Sequence, residues 1–205
     1  MRRMILLATR SRGKLHELRK IFLEAGLDVT DPRELRLDER PEEADLEQFD
    51  TFEQNARAKA VFFHNLTGLP TVADDSGLEI AALGGRPGVH SKRWCGRDDL
   101  VGRSLDEANN AVLEREMAGV GERRARYVCA AVYRDATFEV VRRGEVSGTL
   151  LEVPRGTHGF GFDPYFVADE VAGRSFGELT RDEKQTVSHR ARAMTALIAA
   201  LAERG

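Results

Sequence analysis

The first apolar positions of the chain predict a strand followed by a helix. Residues 4–8 are almost entirely apolar, which is typical of a short buried strand. A polar loop follows, and Gly26 marks the end of the helix. Between them, apolar residues recur at helical spacing: Leu15, Leu18, Phe22 and Ala25.

An acidic stretch and several apolar stretches follow one another between residues 38 and 83. Residues 38–50 are rich in Asp and Glu and poor in apolar side chains, which predicts a loop. Thr51 is then placed to cap a second helix. The buried stripe of that helix is predicted to contain Phe52, Ala56, Ala60 and Phe63. A second apolar run at 69–73 ends in two aspartates, and 78–83 is apolar again.

The remaining pattern adds antiparallel strands and two helices. Residues 105–117 and the segment from Val187 to Leu201 have helical spacing. Strands are predicted over the ranges 126–133, 137–141, 146–153 and 165–167. Because strand–helix units flank an antiparallel centre, we expect an α/β fold built on a mixed sheet with flanking helices.

Composition narrows the class of protein. The 205 residues carry a net charge of −3 with both signs mixed, so nothing indicates a nucleic-acid surface. No window approaches the roughly 20 apolar residues of a membrane span. The first apolar run is too short for a signal sequence. The two cysteines, Cys95 and Cys129, lack metal-ligand spacing, which favours a reducing, cytoplasmic location without zinc.

A phosphate-binding loop is the first candidate for chemistry. Thr9, Arg10, Ser11, Arg12, Gly13 and Lys14 connect the first strand to the first helix. A helix N-terminus presents unpaired N–H groups and the positive end of its dipole, and Lys14 adds a full charge. The segment is no Walker A motif, and taken by itself it is more typical of an ordinary strand–helix turn with a surface lysine.

The aspartate pair is the second candidate. Asp74 and Asp75 come directly after an apolar run, and Ser76 and Gly77 follow them. Since adjacent strand residues point to opposite faces, one carboxylate can enter a cleft while the other must be paired or solvated. Magnesium prefers such oxygen ligands. The alternative is a polar turn in which Asp and Ser bond to the backbone.

Nearby residues could join that site. Asn55 and Lys59 are four residues apart on the second predicted helix, so they share a face. Glu47 belongs to the acidic stretch, which is as a whole more typical of a solvated charge run.

An aromatic loop and a basic turn complete the candidates. Phe160 and Phe162 alternate with glycines, Gly161 between them, and could enclose a planar base beside Asp163. The alternative is a loop that packs its own rings on the core. Ser188 is typical of a helix cap, and the following residues offer donors for a base edge: His189 and Arg190. Lys184 lies one turn earlier, and each of these basic residues taken singly is typical of a surface position.

In order along nearly the whole chain, these motifs resemble the inosine triphosphate pyrophosphatase family, also called XTP/dITP diphosphatases. Each motif alone is modest, but their order is specific. The resemblance is carried by Ala8-Thr9, Gly13-Lys14, Thr51-Phe52, Asn55-Ala56, Lys59-Ala60, Ala73-Asp74-Asp75-Ser76-Gly77-Leu78, Gly85, Pro87-Gly88-Val89, Ser91, Gly159-Phe160-Gly161-Phe162-Asp163-Pro164, Glu183-Lys184 and Ser188-His189-Arg190.

The resemblance implies an elongated mixed sheet flanked by helices. Residues 1–205 would form one domain with two lobes and a central nucleotide-binding cleft. It also implies a cytoplasmic homodimer that uses Mg²⁺ to hydrolyse ITP, dITP or XTP to the monophosphate and pyrophosphate. Residues 9–14 would bind the triphosphate, Asp75 would accept the proton, and Glu47 and Asp75 would hold the metal. The further substrate contacts would be Lys59, Ser76, Phe160, Gly161, Phe162, Asp163, Lys184, His189 and Arg190.

Some positions depart from the family pattern. Ser11 and Gln54 stand where Asn and Glu are usual, which puts one phosphate contact and one metal contact in doubt, with Glu53 as a doubtful substitute. Two other functions stay open at this point. One is a related pyrophosphatase for modified pyrimidines or dUTP, and the other is a nucleotide sensor without catalysis.

Overall fold

A mixed sheet organises the molecule, whose computed structural model describes residues 4–171 and 173–203. The strands are β1 (Ile5–Leu7), β2 (Val29–Thr30), β3 (Thr71–Ile80), β4 (Arg124–Arg134), β5 (Glu139–Leu150) and β6 (Phe166–Ala168). Their order in the sheet is β2-β1-β3-β4-β5-β6. β1 runs parallel to β2 and β3, whereas β5 and β6 are antiparallel, which confirms the predicted mixed sheet.

Five α-helices accompany the sheet in the described part of the chain. They are α1 (Arg12–Glu24), α2 (Phe52–Thr67), α3 (Arg103–Glu116), α4 (Arg181–Val187) and α5 (His189–Ala202). Short 3-10 helices occupy Pro41–Glu47, Ala81–Leu83, Gly88–Arg93 and Phe176–Glu178. Across residues 4–171 and 173–203, no helix has both the length and the apolar character needed to cross a bilayer.

Local sequence accounts for the helix ends. The Ser11 side chain accepts from the Lys14 N–H at 3.4 Å and caps α1. Thr51 accepts from the Gln54 N–H at 3.2 Å and caps α2 as predicted. Gly68, at φ 68°, ends α2 in the left-handed conformation that glycine adopts without a steric penalty.

The chain divides into two compact units. Within the described residues, the first unit consists of 4–75, 129–144 and 190–203. The second unit consists of 76–128, 145–171 and 173–189. That residues 1–205 act as one domain with two lobes and a central cleft stays a prediction.

Each unit has its own apolar core. In the first unit, α1 and α5 pack on β1, β3 and β4, burying Leu18, Phe22, Val72, Met194 and Leu197 completely or almost completely. The predicted stripe of α1 is correct except at Ala25, which is exposed, while Ile21 is buried. In the second unit the core contains Leu78, Leu113, Tyr127, Val146, Phe162, Phe166 and Phe176.

A carboxylate closes the turn between β4 and β5. Asp135 accepts from the backbone N–H groups of Thr137 at 2.7 Å and Phe138 at 3.0 Å, and from the Tyr133 hydroxyl at 3.0 Å. Burial opposes ionisation, but these donors lower the pKa of Asp135 to about 2. The turn at 134–136 is thus held by hydrogen bonds to one ionised side chain.

Two predicted boundaries were wrong. The acidic stretch 38–50 contains the 3-10 helix Pro41–Glu47, which the Arg40 N–H helps to start by donating to Glu43 at 3.1 Å. The predicted strands 137–141 and 146–153 are one strand, β5. From Arg143 to Leu150 exposed or half-buried positions alternate with buried ones, and a strand with one face to solvent accepts charged residues between its apolar ones.

Candidate active site

The aspartate pair lies inside a long strand. Asp74 and Asp75 occupy the middle of β3, so their predicted position at a strand end or in a turn was wrong. Both residues are buried, and their side chains point to opposite faces, as alternation along a strand requires. The strand continues through two carboxylates because each finds a basic partner.

Asp75 faces α2 and the acidic segment. Lys59 Nζ lies 3.3 Å from Asp75 Oδ1 and 2.8 Å from Glu47 Oε1. Asn55 Nδ2 donates to Asp75 Oδ2 at 3.0 Å. The four-residue spacing on α2 places the amide and the ammonium on the same side, as predicted. The structure therefore brings together Glu47, Lys59 and Asp75 and adds Asn55 to them.

Burial and charge act against each other on this group. Burial raises the pKa of Asp75 above its ordinary value, although Lys59 and Lys14 oppose the rise. For Lys59, burial would lower the pKa, but Asp75 and Glu47 raise it above the ordinary lysine value. The group therefore combines a stable ammonium with a carboxylate that is a stronger base than a solvated aspartate.

Asp74 faces α1 and α5. Lys14 Nζ lies 2.9 Å from Asp74 Oδ2, and Arg190 Nε donates to the same oxygen at 3.2 Å. Arg190 Nη1 also donates to Glu17. Burial would raise the pKa of Asp74, but Lys14 and Arg190 hold it far below the ordinary range. The carboxylate is consequently a permanent buried anion.

The surroundings of Arg190 differ from those that the sequence predicted. The sequence predicted that it reads a base edge, whereas the structure buries its guanidinium in the first unit against Asp74 and Glu17. Glu17 lies 173 residues before Arg190 in sequence, so no local pattern indicates their bond. Nothing local indicates the bond to Asp74. Reading of the base by Arg190 stays a prediction.

The predicted phosphate loop leads into the first turn of α1, which begins at Arg12. Ser11, Arg12 and Gly13 are exposed there, and the Ser11 N–H donates to Thr9 Oγ1 at 3.2 Å. Arg10 is oriented differently. Its guanidinium holds Glu43 at 2.7 Å and also donates to the Leu37 and Asp38 carbonyls. Arg10 therefore anchors the acidic segment in this structure, and the phosphate contact predicted for it stays a prediction.

The aromatic loop and its lysine form a second group of residues, within the second unit. Lys184 is buried and lies 2.7 Å from Asp163 Oδ2, with its ammonium 4.6 Å from the centre of the Phe160 ring. The Phe160 N–H donates to the same carboxylate oxygen at 2.8 Å. At Gly159, with φ 77°, a Cβ would meet Asp163 Oδ2 at 2.0 Å. Glycine is thus required for Asp163 to close this loop.

The two phenylalanines differ in their surroundings. Phe160 is 36% exposed, but Phe162 is buried in the core and contacts Trp94 edge-to-face at 6.0 Å. The burial of Phe162 does not favour the predicted pair of base-flanking rings, and contact of either ring with a base stays a prediction. Phe162 packs in the core, as the alternative interpretation of the loop required, and only Phe160 keeps an accessible ring.

Other predicted residues lie near this loop or on β3. The His189 ring stacks on Tyr127 at 4.6 Å with an interplanar angle of 7°, a partner that sequence reasoning missed. Gly161 accepts from Asn110 Nδ2 at 3.2 Å through its carbonyl. Ser76 follows Asp75 directly on β3 and is half-buried.

The departures from the family pattern have local partners. Gln54 Oε1 accepts from the Thr51 hydroxyl at 3.0 Å, at the start of α2. Glu53 pairs with Arg143 at 2.8 Å. Neither of these bonds joins Gln54 or Glu53 to the carboxylates of Asp75 and Glu47.

The donor set at Asp75 suits a magnesium ion. Among residues 4–171 and 173–203, no group of three His, Cys, Asp or Glu side chains is arranged to hold a metal. Mg²⁺ usually needs only one or two protein carboxylates, because water and substrate phosphate supply the other ligands. Glu47 and Asp75 both contact the Lys59 ammonium, so a cation already lies between them. The residues therefore fit the ion.

Comparison with known proteins decides the family. The sequence profile of the Ham1 family matches residues 5–200. The chain belongs to the Ham1 family. This agrees with the resemblance inferred from the motifs.

Curated relatives of this Ham1 chain match it along almost its full length. A dITP/XTP pyrophosphatase of Mycolicibacterium paratuberculosis is 46% identical over 200 residues, covering 96% of this chain and 95% of the relative. A dITP/XTP pyrophosphatase of Ralstonia nicotianae is 42% identical over 199 residues, covering 96% and 95%.

Solved structures support the fold of the Ham1 chain. The Ham1 protein of Staphylococcus aureus superposes with a TM-score of 0.83 at 31% identity, covering 99% of this chain and 100% of that one. The dITP/XTP pyrophosphatase of Mycobacterium abscessus gives a TM-score of 0.69 at 37% identity, covering 95% and 97%.

Proposed function

We propose that this Ham1 chain is a Mg²⁺-dependent nucleoside triphosphate pyrophosphatase that hydrolyses ITP, dITP and XTP to the monophosphate and pyrophosphate. The observation that carries the proposal is the pairing of both β3 aspartates with lysines, Asp75 with Lys59 and Asp74 with Lys14. Relatives at 42% and 46% identity carry the name dITP/XTP pyrophosphatase, which supports the same activity.

Hydrolysis needs a base and a positive field. Asp75, with its raised pKa, accepts the proton of the attacking water. Lys59, Lys14 and the N–H groups of the first turn of α1 stabilise negative charge on the phosphates. Asn55 holds the second oxygen of Asp75, which directs the first toward the reaction.

Glu47 and Asp75 would hold the magnesium ion. When bound, Mg²⁺ neutralises phosphate charge, polarises the phosphoryl oxygens and lowers the pKa of a bound water. Lys59 lies between both carboxylates and gives each of them a cationic partner without the metal. Its ammonium then has a second task, because it contacts phosphate when the nucleotide is bound.

The base would be recognised by residues of the second unit. Phe160 offers a half-exposed ring for stacking, and Lys184 and Asp163 fix the loop that carries it. His189, held flat against Tyr127, supplies a polar edge. A donor facing the 6-oxo group of hypoxanthine or xanthine rejects adenine, because the 6-amino group leaves buried donors unpaired.

Pyrophosphate release separates this function from its alternatives. We would measure it with Mg²⁺ and equal concentrations of ITP, XTP, dITP, GTP, ATP and dUTP. The proposal expects rapid release from ITP, dITP and XTP and slow release from GTP and ATP. Preference for dUTP would indicate a pyrimidine enzyme, and tight ITP binding without hydrolysis would indicate a sensor. Either outcome would overturn the proposal.

Assembly and location are part of the same proposal. We infer a cytoplasmic homodimer with no nucleic-acid or membrane partner, supported by the family resemblance, the mixed charge and the unpatterned cysteines. Light scattering on the purified full chain tests the dimer, since a monomer at micromolar concentration would contradict it.

A further inference from the structure

We propose that Asp74 is a positioning residue that holds the Lys14 ammonium in place for the triphosphate. The inference rests on the proposed function, because Lys14 is there assigned to phosphate binding. Asp74 itself touches no substrate in this scheme. It acts on the reaction only through Lys14.

The burial of Asp74 is the first observation. Its side chain is fully buried, and both cationic partners bind the same oxygen, Oδ2. Across residues 4–171 and 173–203, Oδ1 has no hydrogen-bond partner. A buried carboxylate with one unsatisfied oxygen is a poor way to stabilise a fold, since desolvation opposes it. Such a group is better explained by a need to orient its partners.

The geometry of Lys14 is the second observation. Its side chain is 17% exposed, so its ammonium is held at 2.9 Å by Asp74 while part of the side chain still meets solvent. A lysine loses side-chain rotamer entropy when it is fixed. Pairing with Asp74 fixes Lys14 before any phosphate is bound.

The backbone links this lysine to the reacting group. Asp74 and Asp75 are joined by one peptide bond within β3, and they point to opposite faces. Lys14, held by Asp74, is therefore fixed relative to Asp75 through the β3 peptide bond that joins the two aspartates. On the far side, Arg190 Nε donates to Asp74 Oδ2 while Arg190 Nη1 donates to Glu17, which completes the network.

A double-mutant cycle between Asp74 and Lys14 tests the inference. We would prepare Asp74→Asn, Lys14→Met and the double variant, and measure kcat and KM for ITP with Mg²⁺. Binding of inorganic tripolyphosphate, which has no base, would be measured by calorimetry in the same buffer. Glu139→Gln is the matched control, because it removes a carboxylate that pairs with Arg57 and Arg134 in the same unit.

Asp74→Asn should lower kcat/KM for ITP and weaken tripolyphosphate binding roughly 10–100-fold, as expected for a lost charge-assisted contact. In the Lys14→Met background, Asp74→Asn should change kcat/KM and tripolyphosphate binding by less than about threefold. Asp74 can then no longer act through the Lys14 ammonium. Losses that multiply in the double variant would overturn the inference. So would unchanged tripolyphosphate binding by folded Asp74→Asn.

A measurement on the unaltered protein covers the case in which Asp74→Asn does not fold. The ammonium protons of Lys14, assigned by their loss in Lys14→Met, should exchange with water much more slowly than those of the exposed Lys92 before tripolyphosphate is added. Equal exchange would overturn the inference. If the chain binds tripolyphosphate but does not turn over ITP, the proposed function fails while the cycle on binding still decides the role of Asp74.

Discussion

Removal of the Lys59 ammonium gives the sharpest stability prediction. Lys59 lies 2.8 Å from Glu47 and 3.3 Å from Asp75, and its side chain is 9% exposed. Lys59→Met leaves two carboxylates facing each other without a cation. Breaking a buried ion pair costs about 3–5 kcal/mol, and the 33% exposure of Glu47 reduces this to about 2–4 kcal/mol. For a chain of this length, that corresponds to a fall in Tm of about 5–15 °C.

The assay is thermal unfolding at pH 7.5 without divalent metal, followed by circular dichroism. Lys20→Met is the control, because Lys20 makes a loose surface pair with Glu24 at 3.9 Å, and we expect its Tm to stay within about 1 °C of the parent. Adding Glu47→Gln to Lys59→Met should recover much of the lost stability. MgCl₂ should raise the Tm of Lys59→Met, because both proposed ligands are then uncompensated.

A Tm for Lys59→Met equal to that of the Lys20 control would refute the electrostatic reasoning. If Lys59→Met is strongly destabilised but magnesium has no effect on its Tm, the ion pair is correct and the assignment of Glu47 and Asp75 to the metal is wrong.

Three further changes test other parts of the molecule. Phe160→Ala should weaken ITP binding by about 1–3 kcal/mol with little change in Tm, as measured by calorimetric titration. Phe162→Ala should lower the Tm in thermal unfolding, because its ring packs in the core. Reversed effects of the two variants would contradict this assignment. Phe22→Ala should destabilise the first unit by about 3–5 kcal/mol in urea unfolding, and a loss below 1 kcal/mol would mean that the core collapses around the gap. Asp135→Ala should lower stability by about 1–2 kcal/mol at neutral pH, because the native pKa of about 2 lies below the unfolded value. The stabilisation is present above about pH 4 and declines as the pH falls toward 2, so the two Tm curves should converge there.

The local pattern of the chain determined much of the fold. The spacing of apolar residues placed α1, α2 and α5, and Ser11 and Thr51 marked helix starts, because caps and amphipathic stripes depend on neighbours within a few residues. The order of the motifs also determined the family. The four-residue spacing of Asn55 and Lys59 placed both on one helix face, where both contact Asp75.

Tertiary structure decided which partner each polar side chain takes. Arg190 lies 116 residues from Asp74 in sequence, and no local pattern indicates their bond. Arg10 was predicted to face phosphate but holds Glu43, and Phe162 was predicted beside a base but packs in the core. Long basic and aromatic side chains reach several possible partners. The choice among them depends on desolvation and packing across distant segments, which exist only in the folded molecule.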